Sequence, residues 1–196
     1  MQFIPNGPDI PDELLQAHEE GKVVFFCGAG ISYPAGLPGF GGLVQRIYTS
    51  LGATPSILEK EALKNYQFDA ALDLLERRIP GQRYVLRKAL ADSLKPQLRR
   101  KGAIDTQQAL LTLAKDRKDT LRLVTTNFDY IFESAAKKLK INPLNTYSAP
   151  MLPIPKKAKW DGLVYLHGKL PKSYDEASLN RLVITSGDFG LAYLTE

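Results

Sequence analysis

Apolar positions in this chain fall into two patterns, short continuous runs and longer stretches at helical spacing. The continuous runs predict buried strands of a parallel sheet, and they are Val23–Cys27, 121–125, 163–166 and Leu182–Thr185. Helical spacing dominates residues 56–118, in four segments separated by Pro-Gly and Lys-Gly pairs, and again residues 130–140. The order of these elements predicts an α/β fold, a parallel sheet with a helical subdomain inserted at about 56–118.

A glycine-rich turn follows the first predicted strand directly. Gly28 and Gly30 lack a Cβ, which lets backbone N–H groups approach an anion closely. Ser32 can cap the next helix or bind a phosphate oxygen. The turn departs from the dinucleotide fingerprint, since Tyr33 occupies the third glycine position, and the chain has no Gly-Lys-Ser/Thr sequence. A nucleotide site and a structural tight turn are both open readings of the turn alone.

Polar residues also follow two other predicted strands. Thr126, Asn127 and Asp129 come after the second, and His167-Gly168 comes after the third. Parallel strands end at a common edge of the sheet, where ligands bind in open α/β folds. The three strand ends therefore predict one shared site.

These motifs, taken in their order and spacing, resemble the sirtuin family over about residues 20 to 190. The resemblance implies a Rossmann-like NAD-binding sheet, with NAD as substrate and with Asn127 and His167 in the catalytic positions. The cofactor-binding positions that it implies are Gly28, Ala29, Gly30, Ser32, Gly36, Pro38, Phe40, Thr126 and Asp129.

The chain departs from deacetylating sirtuins at several points. It has one cysteine, which rules out a Cys₄ zinc site within it, so we expect no zinc. Gly39 and Gly41 flank Phe40 where those sirtuins have Asp and Arg, and Thr126 replaces a glutamine. In these respects the chain is similar to the sirtuin-like NADase domains of bacterial antiphage defence proteins, which implies NAD⁺ hydrolysis to nicotinamide and ADP-ribose. The alternatives are an ADP-ribosyltransferase, a zinc-free deacylase, and a non-catalytic module that senses NAD or ADP-ribose.

The residue types suit that hydrolysis. The nicotinamide ring of NAD⁺ is cationic while it is bonded to the ribose and leaves as a neutral molecule. The paired carboxylates of ordinary glycosidases are therefore not required. Asn127 offers a donor and an acceptor, and His167 can act as a base near neutral pH; its alternative is a structural histidine. Asp129 either holds the nicotinamide end of the substrate or caps the next helix, and Phe40 either walls the pocket or packs in the core.

Composition bounds the remaining possibilities. The 196 residues, 44% of them hydrophobic, suit one domain, and no apolar run is long enough for a membrane span. The start lacks the features of a signal peptide, and the single cysteine suits the cytoplasm. The net charge of +5 is concentrated in residues 77–101 without a recognisable reader motif, so we expect no direct nucleic acid binding.

The predicted final helix breaks off at Glu196 without a cap. We therefore expect residues 1–196 to be a sirtuin-like NAD-binding domain whose C-terminal remainder is missing. The resemblance also implies a homo-oligomer and a sensor or ATPase, as a partner protein or a fused domain.

Overall fold

A four-stranded parallel sheet organises the fold. The computed structural model describes residues 1–152, 160–171 and 174–194, and within them the sheet order is β1-β2-β4-β3. The strands are β1 (Phe25–Cys27), β2 (Arg122–Thr125), β3 (Thr146–Ser148) and β4 (Gly162–Tyr165). Cys27 pairs with Thr125, and Thr125 pairs with Tyr165. Because the register is level, the segments after these three strands emerge side by side at one edge.

The α/β prediction and its parallel sheet are confirmed, with two differences in the strands. β3 was not predicted, because it is three residues long and lacks a continuous apolar run. The prediction of a strand at 182–185 is wrong. Leu182, Val183 and Ile184 are buried, as their hydrophobicity requires, but in the described residues they form no strand of the sheet. Val183 N donates instead to His167 O at 2.9 Å.

Most of the chain between β1 and β2 is helical. A 3₁₀ segment, Ala29–Ala35, leads directly out of β1. The α-helices of the described residues are α1 (Asp12–Glu19), α2 (Phe40–Ser50), α3 (Ile57–Lys64), α4 (Phe68–Arg78), α5 (Gln82–Ser93), α6 (Asp105–Leu113), α7 (Ile131–Lys138), α8 (Glu176–Leu179) and α9 (Ser186–Tyr193). Among these described helices, none has both the length and the apolar content needed to cross a bilayer.

Local chemistry explains where some of these helices begin and end. α3 starts with a capping box: Glu59 N donates to Ser56 Oγ at 3.3 Å, and Ser56 N donates to the Glu59 carboxylate at 3.0 Å. The helical pattern around α5 continues to Arg100, yet α5 ends at Ser93. Pro96 accounts for the early end, since it disfavours helical geometry at the residue before it and has no N–H of its own.

Two hydrophobic cores flank the site edge. In the first, Leu111 of α6 and Phe132 of α7 pack against one face of the sheet at Leu123 and Leu163. The second joins α2, α4 and α5 to the extended 182–184 segment. The helices between β1 and β2 therefore do not all cover the sheet: α2, α4 and α5 pack together with residues that follow β2 and β4, such as Phe128 and Leu170.

Candidate active site

A cavity of about 250 Å³ lies at the carboxyl edge of the sheet. Eight of the eleven predicted site residues line it: Ala29, Ser32, Pro38, Phe40, Thr126, Asn127, Asp129 and His167. The remaining lining residues were not predicted as site residues: Leu37, Leu43, Leu94, Phe128, Val183 and Phe189. The cavity thus joins the ends of β1, β2 and β4 to side chains from α2, the end of α5, and α9.

The three predicted glycines lie outside the cavity lining, and their surroundings differ. A Cβ added at Gly30 would meet no described atom within 4 Å, and one added at Gly28 would meet only Thr126 Oγ1, at 3.8 Å. Protein packing therefore does not require glycine at either position. Gly36 has φ +79° and ends the 3₁₀ segment in the left-handed region, so its glycine serves the backbone.

Three buried polar side chains form a directed hydrogen-bond chain. Asn127 Nδ2 donates to Ser32 Oγ at 3.0 Å, and Ser32 Oγ donates to Asp129 Oδ2 at 2.8 Å. The exposed fractions of Asn127, Ser32 and Asp129 are 7%, 2% and 4%. Because an amide nitrogen can only donate, the chain orients the Asn127 side chain and leaves its Oδ1 as an acceptor for a ligand.

Thr125 fixes the backbone beneath this chain. Its fully buried hydroxyl donates to Cys27 O at 3.0 Å and accepts from Asn127 N at 3.1 Å. Thr126 N also donates to Cys27 O, at 3.0 Å. Two consecutive residues at the end of β2 thus bond to the last residue of β1. These bonds fix the backbone that carries Asn127.

Asp129 combines the two roles that its sequence position suggested. Its Oδ1 accepts from Ile131 N at 3.0 Å, at the start of α7, while its Oδ2 accepts from Ser32. Burial raises the pKa of the Asp129 carboxyl, and the hydrogen bonds from Ile131 and Ser32 oppose that rise in part. One carboxylate oxygen thus holds the helix and the other belongs to the site network.

Contacts to both its backbone and its imidazole ring position His167. Its carbonyl accepts from Val183 N, and the next residue, Gly168, turns the chain with φ +93°. The imidazole meets Phe189 edge to face at 5.0 Å between ring centroids, and its Nδ1 lies 3.0 Å from Tyr193 Oη. Burial lowers the pKa of the His167 imidazole, which favours the neutral ring.

An ion cluster anchors α9, the helix that carries both rings. Asp188 accepts from Arg87 Nη2 at 2.9 and 2.7 Å and from Arg83 Nη2 at 2.6 Å. It also accepts from the backbone N–H groups of Ile184 and Thr185. Both arginines belong to the basic region 77–101. Part of the positive charge of that region therefore pairs with Asp188 and holds α9 against α5.

The contribution of α9 to the site was not predicted from the sequence. Phe189 and Tyr193 are four residues apart, so they lie on one face of the helix. That aromatic spacing was visible in the sequence. Its pairing with His167 was not, because it depends on how α9 docks.

Comparisons with known proteins support the family. Residues 121–196 match the SIR2-like domain family. Over these residues the chain is similar to sirtuin-like proteins. It is 34% identical over 193 residues to an uncharacterized protein, y4cA, of Sinorhizobium fredii (strain NBRC 101917 / NGR234). The aligned region is 96% of this chain and 16% of that protein, so the chain spans only a small part of this relative.

A SIR2-like domain suggests an NAD-related function. Phe40 and Phe189 line the cavity together with Asn127 and His167. Small-molecule sites usually measure about 300–1,000 Å³, so a cavity of 250 Å³ accommodates only part of a dinucleotide. Within the described ranges, no three His, Cys, Asp or Glu side chains are arranged to hold a metal ion.

Proposed function

We propose that this sirtuin-like chain is an NAD⁺ glycohydrolase that produces nicotinamide and ADP-ribose. One observation carries the proposal: Asn127 and His167 line a single cavity, with the Asn127 amide oriented by buried Ser32 and Asp129. Binding alone would not require a histidine and an oriented amide in the same cavity. The proposed hydrolysis uses both groups.

The chemistry follows from these two side chains. The bond between C1′ of the ribose and the nicotinamide nitrogen breaks, and its electron pair leaves with nicotinamide as a neutral molecule. Asn127 Oδ1 accepts a hydrogen bond from the attacking water or a ribose hydroxyl. The water oxygen bonds to C1′, and the proton it loses passes to His167.

The glycine turn supports the same placement of the substrate. Gly28 has no side chain to cap the 3₁₀ segment, and the space beside Gly30 is open. Backbone N–H groups at such a segment start suit an anion, so we place the pyrophosphate there. The nicotinamide end would then extend toward Asn127 and His167.

We further propose that the activity depletes NAD⁺ in the cytoplasm as part of bacterial antiphage defence. The support is the departure from deacetylating sirtuins: the single cysteine, the glycines on either side of Phe40, and Thr126. A homo-oligomer and a sensor or ATPase partner belong to the same proposal. The relative y4cA is much longer than its aligned region, as a protein with fused domains would be.

Chromatography of reaction products tests the central proposal. The longest natural form of the protein is incubated with NAD⁺ beside Asn127→Ala, His167→Ala and His18→Gln. His18 is the matched control, since the chain has two histidines and His18 contacts Leu113 O outside the cavity. We expect equimolar nicotinamide and ADP-ribose from the wild type and the control. Loss of a positioned base should cost about 10²–10⁴-fold in rate.

Other outcomes separate the alternatives. ADP-ribose attached to an acceptor would identify a transferase, and release of an acyl group from lysine would identify a deacylase. Binding of NAD⁺ by calorimetry without turnover, in the assembled and triggered protein, would identify a sensing module. Absence of both turnover and binding would refute the NAD-based reading.

A further inference from the structure

Tyr193 makes two contacts that together fix a proton. Its hydroxyl donates to the carbonyl of Leu166, and its oxygen lies 3.0 Å from His167 Nδ1. A carbonyl oxygen carries no hydrogen, so the single hydroxyl hydrogen of Tyr193 must occupy the contact with Leu166. The hydroxyl can then only accept from His167.

The acceptor role of Tyr193 settles the tautomer of His167. For Nδ1 to donate to Tyr193, Nδ1 must carry the ring hydrogen. The other nitrogen, Nε2, then keeps its lone pair, and within the described part of the chain it makes no hydrogen bond. A free neutral imidazole side chain prefers the opposite tautomer, so the protein has to select this one.

We infer that Tyr193 is a positioning residue that holds His167 in the Nδ1–H tautomer and leaves Nε2 available as the proton acceptor. The catalytic consequence rests on the proposed function, in which His167 takes a proton from water. The tautomer itself does not depend on that function.

The surrounding contacts support a fixed arrangement. Phe189 meets the His167 ring at 78° between ring planes, and Tyr193 meets it at 68° with centroids 6.0 Å apart. Both rings come from consecutive turns of α9, whose start is anchored by Asp188. Burial raises the pKa of the Tyr193 hydroxyl, which keeps its proton in place.

His18 provides an internal comparison, because its contacts require the opposite imidazole tautomer. Its Nε2 lies 2.6 Å from Leu113 O, and because a carbonyl only accepts, His18 must carry its hydrogen on Nε2. The chain has two histidines, so one spectrum should show one imidazole of each tautomer.

Nitrogen NMR of ¹⁵N-histidine-labelled protein tests the inference without substrate. Two-bond ¹H–¹⁵N correlations at mildly alkaline pH report which nitrogen is protonated, and His18→Gln assigns the two rings. We expect His167 as Nδ1–H and His18 as Nε2–H. Tyr193→Phe removes only the hydroxyl, and it should move both His167 nitrogen shifts toward the Nε2–H pattern. Tyr66→Phe, at an 81% exposed tyrosine, is the matched control.

The wild-type spectrum alone can overturn the inference, because an Nε2–H pattern at His167 would contradict it without any variant. Unchanged His167 shifts in Tyr193→Phe would also overturn it.

For turnover, we expect Tyr193→Phe to lower kcat about tenfold with little change in KM. This loss is smaller than the loss of about 10²–10⁴-fold expected from removing the base. A changed tautomer with wild-type kcat would refute the positioning role and leave the proposed hydrolysis intact. Absence of hydrolysis would refute the proposed function and leave the NMR result as the test of the tautomer.

Discussion

Replacing Asp188 by asparagine would remove one negative charge from the buried cluster that anchors α9. Asp188 is 4% exposed and Arg87 is fully buried, and one arginine nitrogen, Nη2, donates to both carboxylate oxygens. After Asp188→Asn, the nearest described carboxylate oxygen to Arg87 is on Glu76, at 3.6 Å. The arginine would be left buried without a hydrogen-bonded counterion.

The geometry makes asparagine a poor substitute in either orientation. Arg87 and Arg83 donate to Oδ1, whereas Arg87 and the backbone N–H groups of Ile184 and Thr185 donate to Oδ2. The NH₂ group of an amide would therefore face donors whichever way it turned. Breaking a buried pair in this way costs about 3–5 kcal/mol.

Urea unfolding measures this cost. With a slope of about 2 kcal/mol per molar, the unfolding midpoint should fall by about 2 M. Asp119→Asn is the matched control, because Asp119 pairs with Lys115 at 3.3 Å with its side chain 87% exposed. Such a surface pair contributes about 0–1 kcal/mol. Equal midpoints for the two variants would refute the reasoning.

The pH dependence of the same variants gives an independent check. Burial alone would raise the pKa of Asp188, but the backbone N–H of Ile184 and the Arg87 guanidinium outweigh it, and the pKa is lowered. A lowered folded-state pKa stabilises the protein above the unfolded value of about 3.9. That stabilisation is lost as pH falls through the folded pKa. The difference in unfolding free energy between wild type and Asp188→Asn should therefore shrink in acid.

Three further predictions concern the cavity. Gly30→Ala should leave urea stability within about 0.5 kcal/mol but weaken NAD⁺ binding by calorimetry, because the added Cβ enters open space; an unchanged affinity would contradict the placement of the pyrophosphate. Ser32→Ala should cost about 1–3 kcal/mol in urea unfolding, because Asn127 and Asp129 lose their shared partner, and should lower kcat; full activity would show that the chain does not orient the amide. The acidic limb of kcat/KM should lie below the ordinary histidine pKa of about 6.5, because burial favours neutral His167 and protonation removes the base; a limb above 6.5 would count against His167 as the base.

The strand exits were predictable because their signals are local. Apolar runs that end in glycines or in Thr-Thr-Asn identify both a buried strand and the turn that follows it, and parallel strands share an edge. The sequence therefore predicted that Ser32, Asn127 and His167 would approach one another. It could not predict β3, whose pairing with β4 comes from neighbouring structure rather than from its own composition.

The segment 182–194 shows the opposite case. Its apolar residues predict burial correctly, but a run of four cannot distinguish a sheet strand from an extended segment packed on helices. Asp188 and Arg87 are about a hundred residues apart, and nothing in either local sequence indicates that they pair. The basic composition of 77–101 suggested a charged surface, whereas two of its arginines contact Asp188.

The residue types at the ends of three strands follow from local sequence, since hydrophobic periodicity and glycine turns are properties of neighbouring residues. The orientation of their side chains depends on contacts between distant segments: Ser32 orients the Asn127 amide, and Phe189 and Tyr193 orient the His167 ring. Hydrogen-bond direction depends on atoms brought together from distant parts of the chain. For that reason it appears only after α9 has docked beside the sheet.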